Sequence, residues 1–212
     1  MKLIAFNGSP RKGWNTHTLL ENVLDGAKSK GAEVELIHLY KLDYKGCRSC
    51  FACKRKGVTV EQCVIKDGLL PVLKSVRECD AVVLGSPIYL GCVTGEMRSF
   101  MERLLFPYVS YDKKPPTFPR KIKSAIIYTM NINEAELPAY GYRSFMEANE
   151  SYLARVFGNA ESMLVTGTRQ FRDYDKYAAS RFDGEARKRR HDTVFKEDCA
   201  KAFDLGARLV AE

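Results

Sequence analysis

The stretch from Lys2 to Leu39 constrains the fold more than any other. Lys2 to Asn7 is a short apolar run that ends in Gly8-Ser9-Pro10. Thr16 to Lys30 then carries apolar residues at Leu19, Leu20, Val23, Leu24 and Ala27. Apolar residues spaced three and four apart make one face of a helix, so the pattern predicts a strand, a loop and an amphipathic helix. Gly31 closes the helix, and Glu33 to Leu39 alternates Val34, Leu36 or Ile37, and Leu39 with polar residues, as a second strand does. A βαβ unit of this kind favours a parallel sheet.

The alternation continues. Leu69 to Arg77 reads as a short helix, Asp80 to Gly85 as a buried third strand, and Thr94 to Phe106 as a helix N-capped by Thr94. After a basic, proline-bearing segment from Tyr111 to Arg120, Lys123 to Met130 reads as the fourth strand and Tyr142 to Phe157 as a helix. Glu161 to Thr166 supplies the fifth strand and Asp192 to Val210 the last helix. Five strands with helices between them predict one doubly wound α/β sheet. Two segments depart from the pattern, the cysteine-rich Cys47 to Asp67 and the charged Arg169 to Arg190. Neither has the Gly and Ser content of a linker, so the expectation is one domain over residues 1–212 with a cysteine-rich insertion at about 47–67.

Composition narrows the function classes. With 45% hydrophobic and 28% charged residues the chain is ordinary globular protein, not collagen-like or disordered. Met1 to Phe6 is too short for a signal peptide, and the longest apolar stretch, Ala81 to Leu90, falls short of the roughly 20 residues of a membrane helix. A cytoplasmic protein without membrane contact is expected. The net charge is +8, with basic residues concentrated at Lys113, Lys114, Arg120, Lys121 and Lys123 and in Arg187 to Arg190. No aromatic residues interleave with them and no DNA or RNA module is present, so nucleic acid is not the expected partner. Anionic cofactors and acidic proteins suit the charge.

In an open parallel sheet, ligands bind outside the carboxyl ends of the strands, where strand order reverses. Residues 8–18 occupy that place, with hydroxyls at Ser9, Thr16 and Thr18, the Arg11 guanidinium, the Asn15 amide and the free N–H groups of the following helix. These groups suit a phosphate monoester. The dinucleotide pattern G-x-G-x-x-G is absent. The triphosphate pattern G-x-x-x-x-G-K-[ST] fails because Trp14 and Asn15 follow Gly13. The loop has no cysteine to serve as a phosphatase nucleophile. Phosphate binding without phosphate chemistry is what remains.

The third strand ends in Gly85-Ser86-Pro87-Ile88-Tyr89-Leu90-Gly91-Cys92-Val93-Thr94-Gly95. Together the two loops resemble those of the flavodoxin-like NADPH-dependent FMN reductases, and within them the branch of the iron-sulfur flavoproteins. The resemblance covers residues 1 to about 130. It implies strand order 2-1-3-4-5, FMN phosphate on Ser9, Arg11, Asn15, Thr16 and Thr18, and an isoalloxazine ring wrapped by Pro87, Ile88, Tyr89, Leu90 and Gly91. The resemblance also implies that the loop after the fourth strand, Thr129-Met130-Asn131, reaches the same ring edge. Flavin chemistry belongs to the cofactor, so no protein residue is assigned as catalytic. His17, His38 and His191 read as separate surface or helix-face residues, and Trp14 as a cover for the ribityl chain or a cap on the loop.

Cys47-x2-Cys50-x2-Cys53 is a compact thiolate run, and Cys63 follows after nine residues. Four such thiolates suit a [4Fe-4S] cluster, and tetrahedral zinc accepts the same set. Free thiols in a loop kept from a cluster-binding relative are the third reading. Lys45, Arg48, Lys54, Arg55 and Lys56 suit an anionic cluster. In the iron-sulfur flavoproteins the fourth cysteine comes sooner; here Gly57 to Gln62 lengthens the gap. Cys79, Cys92 and Cys199 read as isolated packing residues.

The resemblance leads us to expect an FMN-dependent oxidoreductase that moves electrons from NAD(P)H, or from a reduced protein donor such as a ferredoxin, to a small acceptor such as a quinone or free flavin. The alternatives are a non-enzymatic electron carrier docking on ferredoxin-like proteins and a redox-sensing module built on the cysteines. The resemblance implies a homodimer or homotetramer, with Arg169 to Arg190 as the candidate contact.

Overall fold

The computed structural model describes residues 1–57, 62–109, 111 and 118–211. Most of the basic segment Tyr111 to Arg120, with Lys113 and Lys114, therefore lies outside the described residues, as do residues 58–61 of the stretch that lengthens the gap before Cys63. Strand β1 (Lys2–Asn7) leads through a loop into α1 (Asn15–Ser29) and β2 (Glu33–His38). Helix α2 (Leu70–Glu78), β3 (Ala81–Tyr89), the two-residue β4 (Cys92–Val93) and α3 (Gly95–Leu105) follow. Then come β5 (Lys123–Thr129), α4 (Leu137–Tyr140), α5 (Tyr142–Phe157), β6 (Glu161–Val165), α6 (Gly184–Asp192) and α7 (Val194–Leu209).

The parallel strands lie in the order β2-β1-β3-β5-β6, which is 2-1-3-4-5 once the antiparallel β4 is set aside. This is the flavodoxin-like order, with its switch point between β1 and β3. Alternation along the buried strands assigns each side chain to a face. Ile4, Phe6, Val82, Leu84, Ile126 and Tyr128 pack in the core that includes α2, α3 and α5. Leu3, Ala5, Ala81, Val83, Ala125 and Ile127 pack in the core with α1 and α7. Each Leu, Ile, Val or Phe side chain so removed from water contributes about 1.5–3 kcal/mol. Helices α1 and α7 meet backbone to backbone: a Cβ on Gly26 would lie 1.9 Å from Phe203 O, and one on Gly206 1.9 Å from Val23 O.

Four local expectations are corrected. Strand β3 runs on to Tyr89 instead of ending at Gly85, because Ile88 and Tyr89 pair with Val93 and Cys92. The hairpin turns at Leu90 (φ 49°) and Gly91 (φ 83°), two consecutive left-handed residues, as a two-residue turn matched to strand twist requires. The segment Arg169 to Arg190 is not irregular throughout: α6 begins at Gly184, capped by the Asp183 side chain on Ala186 N. Accordingly the last helix starts at Val194, after a break at Thr193, and Asp192 belongs to α6. Finally, Cys92 is exposed on β4 and is not a packing residue, whereas Cys79 is buried, its thiol pushed up to about 12 by burial.

Candidate functional site: a carboxyl-edge cleft and a cysteine pocket

The carboxyl ends of β1, β3 and β5 converge with the start of α1. Asn7, the last residue of β1, is wholly buried, and its Oδ1 accepts the Ser9 N–H at 2.8 Å. Gly8 N donates to Gly85 O at 2.8 Å, joining the β1 and β3 loops. The Thr94 hydroxyl donates to Gly8 O at 2.7 Å and accepts from Met97 N at 3.3 Å, so the N-cap of α3 also clamps the first loop. There is no space for a side chain at position 8: a Cβ there would meet Met97 Cβ at 2.8 Å.

The resulting cleft is lined by Ser9, Arg11, Asn15 and Thr16 from the first loop, by Pro87, Ile88 and Tyr89 from the second, and by Thr129 and Asn131 from the third. Thr16 and Thr129 hydroxyls are 2.8 Å apart and buried, tying α1 to β5. Ser9 Oγ accepts from Arg11 N at 3.2 Å. Helix α1 begins with no side-chain cap and no acid in its first turn, so its N–H groups and the positive end of its dipole remain available to an anion. The lining contains no carboxylate, and the buried indole N–H of Trp14, which also borders the cleft, has no hydrogen-bond partner among the described residues. This donor set fits a phosphate dianion, and Pro87, Ile88 and Met130 add an apolar wall beside it.

Three expected residues stand apart. Thr18 faces an adjoining hollow with Gly13 and Lys196 instead of the cleft. Leu90 and Gly91 form the tip of the hairpin, with Leu90 fully exposed. The structure also adds residues that no motif marked. Thr168, Arg169 and Gln170, beyond β6, close the fourth side. Asn15 Nδ2 donates to Arg169 O at 2.8 Å, Arg11 to Gln170 O at 2.7 Å, and Asn131 Nδ2 to Gln170 Oε1 at 2.7 Å. The Arg11 guanidinium stacks 3.9 Å over the Trp14 ring. A Gln in a charged, aperiodic stretch carries no sequence signal.

His17 and His38 are not separate surface residues. Their rings stack at 5.1 Å, and Asn7 Nδ2 lies 3.5 Å and 3.2 Å from their respective Nδ1 atoms. Burial, and then the neighbouring His17 and Lys41, hold His38 below its ordinary pKa.

The second site lies at the other end of α3. Cys47, Cys50, Cys53 and Cys63 line one small pocket together with Arg103 and Phe106. Ser49 (φ 53°) and Phe51 (φ 52°) flank Cys50 in the left-handed region, which turns the chain sharply on each side of it. Burial raises the Cys53 thiol, while the Ala52 N–H lowers that of Cys50. Among the described residues no three His, Cys, Asp or Glu converge closely enough to hold one metal ion. A mononuclear zinc needs four sulfurs about 2.3 Å from one point. Four cysteine thiols are also the donor set of a [4Fe-4S] cluster, and here they line one pocket.

Sheet order, switch-point cleft and open helix terminus together define a flavodoxin-like protein with a carboxylate-free cleft at its carboxyl edge. The chain belongs to the NADPH-dependent FMN reductase family, whose model matches residues 1–152. It is 44% identical to an iron-sulfur flavoprotein of Archaeoglobus fulgidus over 103 residues, 49% of this chain and 48% of that one. The chain thus matches about half the length of such curated relatives. An azoreductase structure superposes with a TM-score of 0.67 at 14% identity, covering 98% of this chain and all of that one. An NAD(P)H:quinone oxidoreductase from Methanothermobacter marburgensis gives 0.65 at 14% identity, over 100% and 96% of the two chains. At such identities these two likenesses speak for the fold. Among the described residues, no helix is long and apolar enough to cross a membrane.

Proposed function

We propose that the chain binds FMN in the carboxyl-edge cleft and acts as an oxidoreductase, taking electrons from NAD(P)H or a reduced protein donor and passing them to a small acceptor. One observation carries this reading: loops from β1, β3 and β5 meet the uncapped start of α1 in a cleft without a carboxylate. Ser9, Thr16 and the first N–H groups of α1 would hold the phosphate, with Arg11 in reach of the same end. Pro87, Ile88, Tyr89, Thr129 and Asn131 would hold the ring. When bound, the flavin supplies hydride and single-electron chemistry. The residues around it bind, orient and exclude water, and none needs to exchange a proton with substrate. Anaerobic purification followed by an absorption spectrum tests the proposal. Flavin bands, bleached by NAD(P)H, are expected; a colourless chain that takes up no added FMN overturns it.

The shared pocket of four cysteines favours a second component, a [4Fe-4S] cluster on Cys47, Cys50, Cys53 and Cys63. Helix α3 links the two sites, since its N-cap Thr94 holds the phosphate loop and its residue Arg103 touches Cys63. At about 1.5 Å of rise per residue, Thr94 and Arg103 are about 14 Å apart along the axis. Iron and acid-labile sulfide analysis of the anaerobic protein tests the cluster, and their absence after reconstitution refutes it.

A further inference from the structure

Arg103 has no solvent exposure in its side chain, although it is one of the most costly side chains to bury. Among the described residues, every side-chain hydrogen bond it makes goes to residues 45–67. Its Nε donates to Cys63 Sγ at 2.9 Å. One terminal nitrogen donates to Lys45 O at 2.9 Å and Asp67 Oδ2 at 2.8 Å. The other donates to Ile65 O at 3.3 Å and Asp67 Oδ1 at 3.2 Å. The guanidinium thus grips the start of the segment at Lys45 and its end at Ile65 and Asp67, with the bidentate Asp67 pair fixing the plane of the fork. In that plane, Nε is aimed at the one pocket cysteine that lies outside the compact run.

We propose that Arg103 is a positioning residue that buckles the 45–67 segment, presents Cys63 as the fourth thiolate of the pocket, and tunes the potential of a cluster held there. The tuning part rests on the cluster reading above; the buckle does not. The physical case is direct. Residues 58–61 put extra chain between Cys53 and Cys63, so spacing alone does not bring the fourth sulfur home, whereas a guanidinium anchored on α3 does. An N–H donor on a ligating sulfur, from a cation, stabilises the electron-richer state of a cluster and raises its potential. Arg103 is therefore the residue through which the flavodoxin-like core sets the redox poise of the appended segment.

The test compares wild type with Arg103→Lys and with Arg103→Met combined with Asp67→Asn, which leaves no unpaired buried carboxylate. In the iron-free chains, deuterium labelling of backbone amides followed by peptide mass spectrometry should find the peptide around Cys63 exchanging about tenfold faster in both variants, with the strands of the sheet unchanged. After reconstitution, the midpoint potential of the cluster should move to a more negative value, furthest in the Met variant and less in the Lys variant, which keeps the charge but loses the fork. Flavin content should stay at the wild-type ratio. Unchanged exchange in the peptide around Cys63 overturns the buckle. Unchanged potentials at full iron content overturn the tuning. A wild-type chain that takes up no iron removes the cluster reading, and the labelling experiment still decides whether Arg103 holds Cys63.

Discussion

At the carboxyl edge of the sheet, the candidate flavin residues are the last residues of strands whose middles are wholly buried, or the first turn of a helix packed on them. The candidate cluster residues are held differently, on a segment whose described residues form no strand and only one short helical turn, at Ala52–Lys54. The cleft inherits its geometry from two cores at once: Asn7, Ser86 and Thr129 are fixed by strand pairing, and Thr16 and Thr94 by helices on opposite faces. The cysteine pocket inherits almost nothing from the sheet. It is held to α3 by Arg103, by Glu102, which accepts from Cys47 N at 3.2 Å, and by Lys54, which donates to Phe106 O at 2.6 Å. One site is redundantly built and the other depends on a few polar contacts. Changes at single residues should therefore damage them unequally.

The largest effect is expected at Asp67, whose carboxyl is held below its ordinary pKa by hydrogen bonds from Arg103. Asp67→Ala leaves a fully buried guanidinium unpaired, which costs about 3–5 kcal/mol. Chemical denaturation should show this loss, and limited proteolysis should cut first between residues 47 and 67. Survival of the segment at wild-type stability would show that other contacts hold it. Acid acts on the same pair. A carboxylate with a depressed folded pKa contributes stability above its unfolded value of about 3.9 and loses it as pH falls through the folded value. Pepsin digestion of the segment should accordingly accelerate below pH about 4.

At the flavin edge, Gly8→Val drives a branched side chain against Met97 Cβ and Gly85 O. Overpacking of this kind costs about 1–3 kcal/mol, and here it pushes the phosphate loop off β3. The expected result is a lowered melting temperature and loss of bound flavin with iron content preserved. Simultaneous loss of both would mean that the sites are not independent. Thr129→Val is milder. It leaves the Thr16 hydroxyl without its 2.8 Å partner at a buried position, at a cost of about 1 kcal/mol. Flavin affinity should drop by up to about tenfold, measurable by fluorescence titration.

The same contrast explains what the sequence made legible. Strand order and the first two loops follow from periodicity and motif, because those residues serve the fold and the cleft together. Arg103 was missed because a basic residue on an amphipathic helix is ordinarily solvated. Its register gave the only hint, three residues after the buried Phe100 and next to the buried Leu104. Helix α6 was missed because Gly184–Asp192 is charged nearly all round and buries only Arg187, so it has no apolar stripe to detect. Gln170 entered the cleft through pairing beyond β6, where Thr168 N donates to Met130 O at 2.9 Å, a long-range contact that no local pattern encodes. The histidine pair escaped for a similar reason: β1 and β2 are parallel neighbours with Asn7 opposite His38, and His17 lies in the first turn of α1.

That histidine pair gives the smallest and most specific prediction. His38 is held below its ordinary value of 6.5 by burial and by the cations around it, so the unfolded chain binds the proton more readily than the folded one. Its contribution is complete above about 6.5 and is lost as pH falls through the folded value. Asn7 connects this titration to the cleft, because the amide that lies 3.2 Å from His38 Nδ1 also accepts the Ser9 N–H. Protonation of His38 at Nδ1 places two donors face to face and drives the Asn7 amide to turn, which withdraws the acceptor from Ser9. Between pH 8 and 5, wild type should lose thermal stability and flavin affinity while His38→Gln, which does not titrate, stays flat. The cysteine segment should show no change over that range, since its carboxylate titrates lower. A His38→Gln profile parallel to wild type would break the link between the histidines and the phosphate loop, and simultaneous loosening of both ends would break the separation of the two sites.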